Sequence, residues 1–146
     1  MAMTATQTSG AARIKLNNIT KEFMQGCYEA LKKTTVPLTH GQLEEATASA
    51  TRHHVQRGFE VVRVRMPCPG CGKDITGDSV GSLGSVERPK LRMAALFLIC
   101  VPCTVEVQWQ RRHANEPHAV WKKRSVWARK FWAKARRAVD SMWGAT

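Results

Sequence analysis

Residues 66–75, MPCPGCGKDI, place Cys68 and Cys71 on either side of Pro69-Gly70 and end the pair with Gly72. Both sulfurs can face one point if the chain turns tightly between and after them. Proline presets such a turn, and glycine accepts the positive φ that it needs. The segment Cys100-Val-Pro-Cys103 repeats the spacing. Four thiolates in a tetrahedron are a common structural zinc site. The predicted ligands of one structural Zn²⁺ are Cys68, Cys71, Cys100 and Cys103.

The sequences next to the two cysteine pairs predict strands that are joined by a loop. Residues 59–66, FEVVRVRM, are β-branched and alternate over their second half, so they predict a strand that enters the first pair. Residues 104–109, TVEVQW, alternate cleanly and predict a strand that leaves the second pair. Residues 74–90 are rich in Gly, Ser and Pro, which indicates an exposed loop.

This layout resembles the zinc-ribbon group, whose usual first knuckle is Cys-Pro-x-Cys-Gly. The resemblance covers residues 59–110 and implies two knuckles at hairpin tips of a small antiparallel β element that share one metal ion. It implies a metal and a fold, but no substrate. Two features depart from the pattern. The pairs are separated by 28 residues where about 15–20 are usual, and Thr104 replaces the second glycine.

Other interpretations of the cysteines stay open at this stage. A thioredoxin-type redox pair requires one Cys-x-x-Cys in a βαβ unit, whereas this chain has two pairs and strand-like flanks. Cysteines that merely pack in a core are a second alternative. A histidine is a third alternative, as a replacement for one cysteine ligand. The candidates are His53, His54, His113 and His118. Cys27 falls on the apolar stripe of a predicted helix and reads as a core residue.

The remaining segments predict helices and, with the β element, an α+β fold. Residues 17–34 carry Ile19, Phe23, Cys27 and Leu31 at helical spacing. A Thr39-x-x-Gln42 capping box opens a second helix that ends at Gly58. We therefore predict a disordered tail at 1–13, a helical hairpin at 14–58, the zinc-ribbon-like module at 59–110 and a basic amphipathic helix at 111–146, together forming one compact domain.

The charge of the chain is concentrated in its last quarter. The formal net charge is +12, and residues 111–146 hold ten Lys or Arg against two acids. Basic doublets recur every seven residues on one helical arc of about 140°, opposite an arc that holds most of the apolar residues. We interpret most tryptophans of that helix as core residues. The alternative is that they stack on unpaired bases of a nucleic acid. The candidate phosphate contacts are Arg111, Arg112, Lys122, Lys123, Arg129, Lys130, Arg136 and Arg137.

These patterns predict a non-enzymatic, zinc-stabilised protein that binds the phosphate backbone of DNA or RNA. An anionic membrane surface ranks behind nucleic acid as a partner, and no apolar run has the length of a transmembrane segment. The alternative is a small viral, phage or plasmid accessory protein that modulates a host protein or nucleoprotein complex. No phosphate-cradling glycine motif or paired carboxylates indicate an enzyme. Without a signal sequence, the expected location is the cytoplasm, or the nucleus in a eukaryotic host.

Overall fold

The computed structural model describes residues 10–113 and 119–143, and the side chains of residues 22–111 and 126–143. The elements are helices α1 (Gly10–Thr34), α2 (His40–Gln56), α3 (Val101–His113) and α4 (Ala119–Trp143), and strands β1 (Glu60–Arg63), β2 (Val80–Arg88) and β3 (Met93–Cys100). This architecture confirms the predicted α+β class. Among the described residues, no helix is both long enough and apolar enough to cross a membrane.

The chain divides after Thr34 into two compact units, of which the first holds α1 and the second holds every other element. In α1 the buried side chains are Met24, Tyr28 and Leu31, whereas Phe23 is 69% exposed. Of the predicted stripe, Leu31 is buried and Cys27 is half-buried, whereas Phe23 does not belong to the buried face. The side chain of Ile19 lies outside the described residues. The pairing of α1 with α2 as a hairpin stays a prediction. Residues 1–9 of the predicted tail lie outside the described residues.

The three strands form one sheet in the order β1-β3-β2, with β3 parallel to β1 and antiparallel to β2. β3 is central because its sequence, MAALFLIC, is apolar on both faces, as a strand covered on both sides requires. One face carries Ala95, Phe97 and Ile99 in the main core beside Phe131 and Val139 of α4. α2 lies on the opposite face.

β2 occupies part of the segment that was predicted as an exposed loop at 74–90. Val80 and Val86 are 0% and 4% exposed, and the strand pairs with β3 from Val80 to Arg88. Its glycines are sites of close approach, since a Cβ on Gly84 would overlap the Phe97 ring. The loop prediction was wrong because glycine here makes room for a neighbour.

Residues 104–109, predicted as a strand, belong to helix α3. Thr104, Val105, Val107 and Trp109 are all 3% exposed or less, so α3 is buried around most of its circumference. Such a helix shows no single apolar stripe, and six residues of it can alternate by chance. The zinc-ribbon pattern of two hairpin tips is therefore corrected: the second cysteine pair lies where a strand becomes a helix.

Candidate metal centre

The first cysteine pair forms a tight backbone knuckle. Gly72 N donates a hydrogen bond to Cys68 O at 2.7 Å, and Cys68 N donates to Lys73 O at 2.9 Å. Gly72 has φ +72°, the left-handed conformation that glycine accepts without a Cβ penalty. The knuckle therefore has the form that the sequence predicted.

The second pair is positioned by the junction of β3 and α3. Cys100 is the last residue of β3, and Cys103 is in the first turn of α3. Pro102 lies between them, where proline is tolerated because the first N–H groups of a helix have no intrahelical partner. The helix start thus provides the turn that glycine provides in the first knuckle.

The four sulfurs converge on one point. The Cys68 and Cys100 sulfurs are 3.6 Å apart, as are those of Cys71 and Cys100, and all four sulfurs lie within 4.8 Å of one another. A zinc ion with Zn–S bonds of about 2.3 Å requires sulfurs about 3.8 Å apart in a tetrahedron. All four cysteines are free thiols rather than disulfides, and this donor set can hold one metal ion.

The thiols share protons unequally. A hydrogen bond from the Cys103 side chain lowers the pKa of Cys68 to about 4. The same contact raises the pKa of Cys103, and burial raises the pKa of Cys100 to about 11. Burial and the neighbouring sulfurs thus favour the protonated thiols of Cys100 and Cys103. Because a metal ion binds thiolates, its binding at this site must release protons.

α4 covers the site from the side of the first knuckle. A Cβ on Gly70 would overlap the Cys103 sulfur and would lie 3.0 Å from Cζ2 of Trp127 and 3.2 Å from Cδ1 of Phe131. Trp127 and Phe131 are stacked with ring centroids 5.2 Å apart. The indole and the phenyl ring therefore shield the metal site from water, and only Cys71 of the four cysteines is exposed.

The tryptophans of α4 whose side chains are described pack against the core, as predicted. Trp127, Trp132 and Trp143 are partly buried on the main cluster, and Trp132 meets Phe97 edge-on with centroids 6.0 Å apart. The side chain of Trp121 lies outside the described residues. Base stacking by the three packed rings would require α4 to detach from the sheet.

The candidate basic residues fall into three groups. Arg129, Lys130, Arg136 and Arg137 are exposed on α4, and Arg111 is exposed on α3. The side chains of Arg112, Lys122 and Lys123 lie outside the described residues. Lys134 is also exposed on α4; it is a single basic residue and so lies outside the pattern of doublets. The five exposed α4 cations span an arc of about 160°.

Three polar side-chain contacts link β2 to α2, to the residue that follows α2 and to α4. The buried His54 contacts Glu87 through Nδ1 at 2.6 Å, and Arg57 donates to the same oxygen at 2.7 Å. Arg88 forms an ion pair with Asp140 of α4, with Nη2 to Oδ2 at 2.8 Å. His54 is therefore not a metal ligand in this structure. The sequence did not predict these contacts because their partners are 33, 30 and 52 residues apart.

The chain matches no protein-family model, no curated protein and no solved structure.

Proposed function

We propose that this protein is a non-enzymatic, zinc-stabilised scaffold that binds the phosphate backbone of nucleic acid through the exposed face of α4. The observation that supports the proposal best is the solvent-facing cationic arc of that helix. Its described members are Arg129, Lys130, Lys134, Arg136 and Arg137. Each cation placed near a phosphate releases a counterion, which favours binding without any base-specific contact.

The acidic neighbour of these cations supports the same conclusion. Asp140 is the one acid in the sequence of α4, and its carboxylate is paired with Arg88. That pairing removes most of the repulsion that a free carboxylate would exert on a phosphate. The face therefore presents an almost unopposed positive charge, which suits a polyanion.

Zinc is the proposed metal because its coordination matches this donor set. Four thiolates at tetrahedral spacing suit Zn²⁺, and they leave no open position for a substrate or a reactive water. The role of the metal is then to stabilise the fold, since binding and folding share one free energy. Because the rings of Trp127 and Phe131 pack beside the site, the metal would also hold α4 in place.

A salt-dependent titration tests the proposed binding. Fluorescently labelled duplex DNA, single-stranded DNA and RNA of equal length are titrated with the purified protein at several salt concentrations. The logarithm of the affinity for duplex DNA should fall linearly with the logarithm of salt, by about 0.9 for each phosphate contacted. An affinity that does not change with salt concentration would overturn the proposal.

Matched double variants locate the contact. R129Q/K130Q and R136Q/R137Q should each weaken binding and reduce the salt slope for duplex DNA by about 1.8. K32Q/K33Q removes two exposed charges from α1 and is the control for net charge. If the control weakened binding as much as the α4 variants, the proposal for the α4 face would be contradicted.

A further inference from the structure

The outer edge of β2 makes few main-chain hydrogen bonds among the described residues. The strand lies at one side of the sheet and pairs only with β3. On its outer side, Val80 O accepts a hydrogen bond from Leu38 N at 2.8 Å, and among the described residues no other main-chain bond is made to that side from Gly81 through Glu87. Unpaired N–H and C=O groups on an edge strand form a template for another strand. Residues 81–86, GSLGSV, contain neither the lysine nor the proline that usually blocks such an edge.

A groove of about 860 Å³ runs beside this stretch, between α2 and α3. Its walls carry small side chains, including Ala46, Ser49 and Ala50 of α2 and Ser82 and Ser85 of β2. Because these side chains are short, they leave space along the strand. The groove is therefore open where the edge of β2 needs room for a partner.

Cations border the groove. Arg57 and Arg111 line it and are exposed. Among the described lining residues the one acid is Glu87, which already contacts His54 at 2.6 Å and Arg57 at 2.7 Å. A partner with negative charge is therefore favoured over a neutral or basic one, because opposite charges steer association.

We propose that this groove binds an extended acidic peptide segment of a partner protein, which adds to the sheet as a fourth strand beside β2. Strand addition obtains affinity from main-chain hydrogen bonds and specificity from alternate side chains. A nucleic-acid strand fits less well, because no Phe, Tyr or Trp ring lines the groove in the described part of the chain to stack on bases. A second copy of this chain would bring like charge, since its net charge is +12.

A defined peptide tests strand addition in the whole 146-residue chain. The probe is a capped, fluorescently labelled decapeptide of alternating Glu and Val, and its affinity is measured by anisotropy. The same peptide with N-methyl groups at alternate residues cannot form the full ladder and should bind at least about tenfold more weakly. A peptide with Lys in place of Glu should not bind measurably. Amide hydrogen exchange of residues 81–87 should slow when the Glu peptide binds.

Two charge-reversal variants provide the matched comparison. R111E alters the rim of the groove and should weaken binding of the Glu peptide by at least about fivefold. R63E makes the same change at an exposed position of β1, at the opposite edge of the sheet, and should leave peptide binding unchanged. The proposal is overturned if the N-methylated peptide binds equally well or if residues 81–87 gain no protection. It is also overturned if those residues are protected by an oligonucleotide or by dimerisation of the chain instead.

Discussion

The backbone of Gly70 lies directly against the sulfur of Cys103, although the two residues come from different cysteine pairs. A side chain at position 70 would overlap that sulfur and press on Trp127. This close approach links the knuckle, the start of α3 and the aromatic cover supplied by α4. The metal site and the packing of α4 are therefore mechanically coupled.

Gly70→Ala should lower both metal affinity and stability. The added methyl group must displace the Cys103 sulfur or the knuckle backbone, and such overpacking typically costs about 1–3 kcal/mol. The measurement is thermal unfolding together with the metal content of the purified variant. Gly77→Ala is the control, because nothing lies within 4 Å of its added Cβ. Equal behaviour of the two variants would contradict the proposed coupling.

Serine substitutions separate ligand cysteines from other cysteines. Cys68→Ser and Cys100→Ser should lower bound zinc and reduce the midpoint of thermal unfolding, because each removes one thiolate from the tetrahedron. Cys27→Ser changes a half-buried cysteine outside the cluster and should leave the metal content unchanged. Metal loss in the Cys27 variant alone would show that the ligands have been misassigned.

The packing of α4 on the sheet depends on Phe131, which is 1% exposed. Phe131→Ala should reduce the free energy of unfolding by about 3–5 kcal/mol, because it leaves a cavity beside the rings of Trp127 and Trp132. Val126→Ala, at a position that is 39% exposed, should change it by less than about 0.5 kcal/mol. Chemical denaturation of both variants provides the comparison. If both variants lost a similar free energy of unfolding, Phe131 would not be the main contact between α4 and the core.

The ion pair between Arg88 and Asp140 predicts a pH-dependent contribution to stability. Arg88 lowers the pKa of Asp140 below its ordinary value of 3.8. A carboxyl with a depressed folded-state pKa contributes stability above its unfolded pKa and loses that contribution as the pH falls through the folded value. Asp140→Asn should therefore lower the unfolding midpoint at pH 7, and its difference from the unmodified protein should shrink below about pH 4.

The control for this titration is Asp78→Asn, at an exposed position in the turn before β2. It removes one carboxylate without touching Arg88. A difference between Asp140→Asn and the unmodified protein that stayed constant from pH 7 to pH 3 would contradict the assigned ion pair.

Local signals predicted the cysteine centre and the capped helix. The knuckle depends on residues 68–73 alone, so its turn and the positive φ of Gly72 could be predicted from the sequence. The capping box of Thr39 and Gln42 is likewise local and is present in full. Such features need no information about distant partners.

Features that depend on tertiary contacts could not be predicted in this way. β2 is a strand because Gly84 makes room for Phe97, thirteen residues later in the chain. Apolar and polar residues alternate in TVEVQW, yet this segment belongs to helix α3. Its surroundings bury odd-numbered and even-numbered positions alike, such as Val105 and Thr104. Pro102 in its first turn is the one local signal that favoured a helix there.

The central claim is that one zinc ion bound by four cysteines stabilises this fold. Elemental analysis of the purified protein tests it most directly, with thermal unfolding measured before and after a chelator. One zinc ion per chain, lost on chelation together with a lower unfolding midpoint, is the predicted result. The claim would be contradicted if the protein folded without stoichiometric metal and its unfolding midpoint changed neither with the chelator nor with added zinc.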